Sequence, residues 1–220
     1  MKIVILDAGG TKGAWEAMGW NYGFPPNSKP KCLYHIGGKT PLEMQIKTFN
    51  ELGFNDIRIV VGYHKDDIIE YCKKKGFKVE FKENKHWETD AIESIRKAVE
   101  GVKDSMIIIW GDVLPDIKVI NAVLKCPEPL VGGDHIWKID KSKVHIFKDL
   151  REPTEQELGR LELVGMPHFT KKQIGKAPQM SLAVRNLFHL NNYKIIKGME
   201  DLDFYNQTDE SRNKNQESPE

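Results

Sequence analysis

The chain predicts an α/β protein with a mostly parallel central sheet, and three observations predict it. Short β-branched runs alternate with amphipathic, capped helical stretches through the first half. The first of those runs empties into an acid and a glycine pair, "LDAGGTKG", where a helix start or a tight turn belongs. After Asp112 the alternation breaks, and the remaining apolar segments read as antiparallel additions to a parallel core.

The elements follow in order. "KIVIL" (2–6) is a buried strand, apolar on both faces. A polar and aromatic loop runs through "NYGFPPNSKPK". "TPLEMQIKTFNELG" opens a helix with Thr40 as cap, Pro41 at the first helical position and Glu43 completing a capping box. Leu42, Ile46, Phe49 and Leu52 recur at helical spacing, and Gly53 stops the run. "IRIVVG" is a second strand, "KDDIIEYCKKKG" a short helix closed by Gly76, and "FKVEF" a half-buried strand. "DAIESIRKAVEG" is a helix boxed by Asp90 and Glu93 and stopped at Gly101, and "MIIIWGD" is a further buried strand. Parallel neighbours joined by helices require right-handed crossovers. Beyond Asp112, "IKVINAVLK" predicts a helix and "PLVGG" a strand. "HIWKIDKSKVHIFKD" predicts a hairpin turning at Asp140 to Ser142, "RLELVGMPHF" a strand and "MSLAVRNLFHL" a helix.

A chain of 220 residues predicts one domain over 1–205, with the strand–helix alternation in 1–115 and the antiparallel additions in 116–205. Residues 206–220 include "NQTDESRNKNQESPE" without an apolar residue, which predicts a disordered tail. The charges nearly cancel, 33 basic against 32 acidic, which excludes the clustered basic excess of a nucleic-acid binder. Cys32, Cys72 and Cys126 are too widely spaced for a zinc site or a disulfide framework and fit a reducing compartment. No apolar run approaches the ~18 residues of a membrane helix. Asp7 and the glycine pair come too early for a signal peptide, so the expectation is a cytoplasmic protein without membrane or nucleic-acid partners.

Glycines after a strand let backbone N–H groups approach an anion. Their spacing here is not that of the dinucleotide fingerprint, and the second strand lacks the terminal acid that would bind a ribose, which disfavours a nicotinamide oxidoreductase. Pro30 restrains its neighbours and so directs Lys31. Asp112 stands at the C-terminal end of a central strand, where open α/β sheets place their ligand chemistry.

Leu6 to Lys12, Lys29-Pro30-Lys31, "GGKTPLE", "GFNDIRIVVGY", "NKHWETDAIESIRKA" and "WGD" occur in an order that resembles the nucleotidyltransferases joining a nucleoside triphosphate to a sugar phosphate or similar phosphate. The likeness covers the first half; "KVHIFKDLREP" and "GMEDLDFYNQTDE" extend it loosely. It implies a three-layer α/β/α, Rossmann-like nucleotide-diphospho-sugar transferase fold, Mg2+ as cofactor, and two substrates: the triphosphate and a phosphorylated small-molecule acceptor. By the same resemblance Leu6, Ala8, Gly9, Gly10, Thr11, Lys12 and Gly13 would cradle the nucleotide. Lys12, Lys31 and Asp112 would be catalytic, and Glu88, Thr89 and Ser94 would border the nucleoside or the acceptor. Lys148 or Arg151 would meet the acceptor phosphate, and Asp112 with Asp201 or Asp203 would bind the metal. "NKHWETD" is similar to members that activate phosphocholine, which tilts the base toward cytosine.

The chain departs from the family pattern at three places. The glycine loop is one residue shorter and ends in Lys12 rather than threonine and arginine. Asp7 replaces a small residue, and Arg151-Glu152-Pro153 stands where glutamate-lysine-proline is usual. Two alternatives accompany the reading. One is a glycosyltransferase of similar architecture, disfavoured because "GDVLPD" spaces its acids too widely. The other is a catalytically silent nucleotide sensor, which the short loop would suit.

Overall fold

The computed structural model describes residues 1–9, 29–87, 91–132, 135–148, 194–195, 200–201 and 209. Among the described residues seven strands form one sheet in the order β3-β2-β1-β4-β7-β6-β8, built from β1 (Lys2–Asp7), β2 (Ile57–Val61), β3 (Glu80–Glu83), β4 (Met106–Trp110), β6 (Leu130–Gly132), β7 (Ile136–Ile139) and β8 (Lys194–Ile195). β5 (Val113–Leu114) pairs with β9 (Glu200–Asp201) in a separate ribbon. β1, β2, β3 and β4 pair in parallel, β7 pairs antiparallel with β4 and β6, and β8 is parallel to β6.

The strands are apolar on both faces because helices cover both. Ile3, Ile5, Ile57, Ile59, Ile107 and Ile109 meet residues of α1 (Pro41–Glu51), α2 (Lys65–Lys75) and α4 (Ile117–Lys125) in one core cluster. Val4, Leu6, Val60, Met106 and Ile108 join Ile92, Ile95, Ala98 and Val99 of α3 (Ala91–Val99) in the other. The alternation along a single strand therefore decides which helix each residue serves. This is the expected three-layer α/β/α arrangement, mostly parallel with an antiparallel strand in the second half.

The caps are local chemistry. Thr40 Oγ1 accepts from Glu43 N at 3.1 Å at the start of α1, and Pro41 follows it. The Glu43 side chain turns elsewhere: its carboxylate accepts from Lys47 Nζ (2.5 Å), Lys75 Nζ (2.7 Å) and Tyr71 Oη (2.9 Å), tying α1 to α2. Those donors, Lys47 first and then Lys75, hold its carboxyl down to about 2 against the opposing effect of burial. A folded-state pKa below the unfolded one contributes stability above the unfolded pKa that is lost as pH falls through the folded one. Stability should therefore drop by about 2 kcal/mol between roughly pH 5 and pH 2 from this group, the lysines being half-exposed. Urea midpoints of the wild type and Glu43→Gln, measured down that range, should converge; parallel curves would refute the assignment.

Two expectations shift. β3 begins at Glu80, later than "FKVEF" predicts, because Arg58 and Lys2 grip Glu80 and fix the register Arg58↔Glu80, while Phe77 and Val79 pack against the core ahead of the strand. The predicted hairpin after β7 is absent. Asp140 Oδ1 accepts from Ser142 N (2.9 Å) and Ser142 Oγ (2.7 Å), and the chain then enters a 3-10 turn at Val144–Phe147. Val144 and Phe147, one such turn apart, are both buried in the second core cluster, and a returning strand would separate them onto opposite faces.

Within the stretch expected to be a disordered tail, Asp209 is described. Its carboxylate accepts from Gly37 N (3.1 Å) and Gly38 N (2.8 Å), and its own N–H donates to His35 O (2.8 Å). Both glycines have positive φ, 59° and 76°, which turns successive N–H groups toward one anion. The strand and helix expected from "RLELVGMPHF" and "MSLAVRNLFHL", and the cap Asp90, lie outside the described residues.

Candidate active site at the ends of β1 and β4

β1 and β4 are adjacent and parallel, so both deliver their C-terminal residues to one edge. The ladder runs one step past the strands, with Gly111 N donating to Leu6 O at 3.0 Å. Asp7 from β1 and Asp112 after β4 thereby become neighbours. Lys31, in a 3-10 turn at Lys31–Leu33, reaches the same edge: its Nζ lies 3.1 Å from Asp112 Oδ2, with side chains 14% and 25% exposed. Pro30 O accepts from Leu33 N (2.9 Å) and starts that turn, while Cys32 and Leu33 anchor it in the core. Two of the predicted catalytic residues, 81 positions apart, are thus in contact.

The loop carrying Asp112 is clamped from below. Gln45, fully buried on α1, donates from Nε2 to Trp110 O and to Val113 O, both at 2.7 Å. One amide thus straddles Asp112 and closes its loop with two hydrogen bonds to the backbone. Gln45 escaped the sequence reading. Its signal was a polar residue on the apolar face of a helix, between Leu42 and Phe49. Gln45→Leu should cost about 2 kcal/mol of stability, and should lower turnover more than nucleotide affinity, because the loop is freed while Lys31 remains. Urea denaturation and a KM-against-kcat comparison would check this; unchanged kcat would refute it.

Asp7 is buried beside Gly111, and its Oδ2 has no hydrogen-bond partner among the described residues. Burial first, and then the charge on Asp112, push its carboxyl up to about 7, opposed by the hydrogen bond with Cys32. Burial and the two carboxylates push the Cys32 thiol well up, so it serves as an S–H donor and not as a thiolate. Among the described residues no three His, Cys, Asp or Glu side chains converge as a metal site. Magnesium requires no such cage; it is held by one or two carboxylates, completing its shell with phosphate and water oxygens. Asp112, partly exposed, and the orphaned oxygen of Asp7 fit a hard divalent cation in that manner.

The other predicted residues are placed as follows. Leu6 and Ala8 are buried and Gly9 is exposed at the mouth of β1. Ala8 O accepts from Tyr63 N (2.9 Å), and a Cβ on Gly62 would stand 2.7 Å from that same oxygen, so the backbones after β1 and β2 touch. Ser94 is buried and accepts from Asn84 Nδ2 at 2.9 Å, and Asn84 Oδ1 in turn accepts from His86 N. Ser94 thereby ties α3 to the turn after β3 at Asn84 and His86. Lys148 is exposed at the end of the Val144–Phe147 turn, which packs on the face of the sheet opposite that of the Lys31 turn. The backbone of Asp201 lies opposite Val113, next to Asp112. Gly10, Thr11, Lys12, Gly13, Glu88, Thr89, Arg151 and Asp203 lie outside the described residues. Asp116, the second acid of "GDVLPD", is the N-cap of α4, accepting from Lys118 N (2.7 Å) and Val119 N (3.3 Å). That use counts further against a paired-acid glycosyltransferase site. No described helix is long and apolar enough to cross a membrane.

Comparison with known proteins extends this geometry. The family described as the MobA-like NTP transferase domain matches residues 22–132. No curated protein sequence matches the chain. Among solved structures, the inositol-1-phosphate CTP transferase from T. maritima superposes with a TM-score of 0.61 at 12% identity, covering 97% of this chain and 93% of its own. A nucleotidyl transferase from Methanothermobacter thermautotroptrophicus gives 0.60 at 12% identity, with 98% and 97% covered. The CTP:phosphocholine cytidylyltransferase from Streptococcus pneumoniae gives 0.57 at 16% identity, with 98% and 97% covered. At these identities the likeness is one of fold.

Proposed function

The chain belongs to the family of MobA-like NTP transferase domains, and from that premise we propose that it is a magnesium-dependent nucleotidyltransferase that joins a nucleoside triphosphate, CTP by preference, to a sugar phosphate or small alcohol phosphate. The observation that carries the reading is the Lys31–Asp112 pair at the tips of β1 and β4. A cation and an anion side by side at this edge support the reading, because a triphosphate needs the one and its metal the other. The preference for CTP rests on the "NKHWETD" stretch and on two structural neighbours whose names include CTP.

In the reaction an acceptor phosphate oxygen attacks the α-phosphorus. A new P–O bond forms, the bond from the α-phosphorus to the bridging oxygen breaks, and pyrophosphate leaves with the electron pair. The protein's task is alignment and cancellation of charge. Two unit charges ~4 Å apart repel by about 4 kcal/mol at an effective dielectric near 20. Asp112, with Asp201 or Asp203, would hold the cation, which when bound screens the triphosphate against the incoming phosphate. Lys31, and Lys12 from the glycine loop Ala8–Gly13, would neutralise the triphosphate and the leaving group. Glu88, Thr89 and Ser94 would border the nucleoside or acceptor, and Lys148 or Arg151 would meet the acceptor phosphate.

The test is to incubate the protein with each of the four triphosphates against a panel of phosphorylated sugars and alcohols with Mg2+, and to record pyrophosphate. Release that depends on acceptor, metal and one triphosphate is expected. Saturable triphosphate binding without release across the whole panel would replace the enzyme with a nucleotide sensor.

A further inference from the structure

Asp7 is seated at the end of β1 in the space that Gly111, just past β4, leaves open. A Cβ on Gly111 would lie 1.6 Å from Asp7 Oδ1, 2.2 Å from Cγ and 2.6 Å from Oδ2. The carboxylate therefore occupies the volume that any side chain at 111 would need, wedged between the ends of β1 and β4. It is 8% exposed and bonded by the Cys32 thiol, and one of its oxygens is buried without a hydrogen-bond partner among the described residues. Its charged neighbour is another carboxylate, Asp112, which itself faces Lys31. An acid held this way is costly unless something positive completes it.

We propose that Asp7 is a ligand of the same divalent cation as Asp112, so that two adjacent parallel strands each supply one carboxylate from their C-terminal ends. This rests on the reading of Asp112 as a metal ligand, and it gives that metal a second protein anchor independent of Asp201 and Asp203. The Lys31 ammonium on Asp112 already brings positive charge to this edge, and the Asp7 oxygen left without a partner among the described residues would be available to a cation there. Two carboxylates with the rest of the shell left to phosphate and water suit magnesium or manganese rather than zinc.

The experiment uses Mn2+ alone, titrated into the full chain and followed by the loss of the free-Mn2+ electron paramagnetic resonance signal, with thermal midpoints recorded with and without Mg2+. Wild type should bind one Mn2+. Asp7→Asn and Asp112→Asn should each weaken binding about tenfold or more, and each should shrink the Mg2+-induced rise in midpoint. Asn keeps the shape of Asp7 and removes a buried charge, so the metal-free midpoint of Asp7→Asn should stay level or rise. Unchanged Mn2+ binding in Asp7→Asn, with a loss in Asp112→Asn, would overturn the role of Asp7 and leave Asp112 standing. No loss in either variant, or no Mn2+ bound by wild type, would take away both. A collapse of the metal-free midpoint in Asp7→Asn together with its binding would make Asp7 a packing residue and overturn the proposal.

Discussion

Asp112→Asn should lower pyrophosphate release about a thousandfold at saturating substrates. Asparagine matches aspartate in shape and its Oδ1 can still accept from Lys31, so the loop held by Gln45 keeps its form. What disappears is one negative charge at the strand tip, which on the proposed function would anchor the divalent cation. The substitution acts on the transition state more than on ground-state binding, because charge flows toward the leaving pyrophosphate only as the bond breaks. The rate should fall far more than nucleotide affinity, and the side chain is exposed enough that the thermal midpoint should move little. Raising Mg2+ should recover part of the rate. A variant within tenfold of wild type would remove Asp112 from the chemistry, and a variant that fails through loss of the fold would show it in the midpoint instead.

The geometry behind that expectation was legible in part. Two-faced apolar strands, Thr40 and Pro41 opening α1 and Gly76 closing α2 are local signals, and the structure reproduces them. The meeting of Lys31 with Asp112 was suggested by order along the chain, and only the β1–β4 pairing makes it a contact. Gln45 was illegible as a clamp because its partners lie 65 and 68 residues away and are backbone carbonyls, which carry no side-chain identity. Asp7 stood out in the sequence as an unexpected charge, but the missing side chain at 111 that seats it belongs to another strand. "HIWKIDKSKVHIF" misled because its second apolar group fits two periods, Val144 and Ile146 standing two apart as in a strand and Val144 and Phe147 three apart as in a 3-10 turn. Deciding between those periods takes knowledge of which core cluster is open to receive them.

Arg58 shows how far a local pattern can understate a residue, and it carries the largest expected effect on stability. In "IRIVV" it is the lone charge in an otherwise apolar strand, and it is 4% exposed. Its Nη1 donates to Lys97 O (3.2 Å), Ala98 O (2.7 Å) and Glu100 O (2.7 Å), capping the C-terminal end of α3, while Nε and Nη2 fork onto Glu80, each at 3.0 Å. One guanidinium thus joins β2, β3 and the end of α3, where a positive charge also opposes the helix dipole favourably. Arg58→Met keeps the aliphatic stem and removes every donor, leaving three carbonyls without this partner and Glu80 with Lys2 alone of its two cations. The loss should be about 3–5 kcal/mol in urea unfolding, or roughly 6–20 °C in midpoint for a chain of this size. Arg58→Lys should recover less than half, since an ammonium cannot fork onto Glu80 and reach the helix end together. Glu80→Gln, which leaves the helix cap intact, should cost much less than Arg58→Met. If the two proved equal, the carbonyl contacts would contribute nothing, and α3 would be held to the sheet by Ile92, Ile95 and Val99 alone.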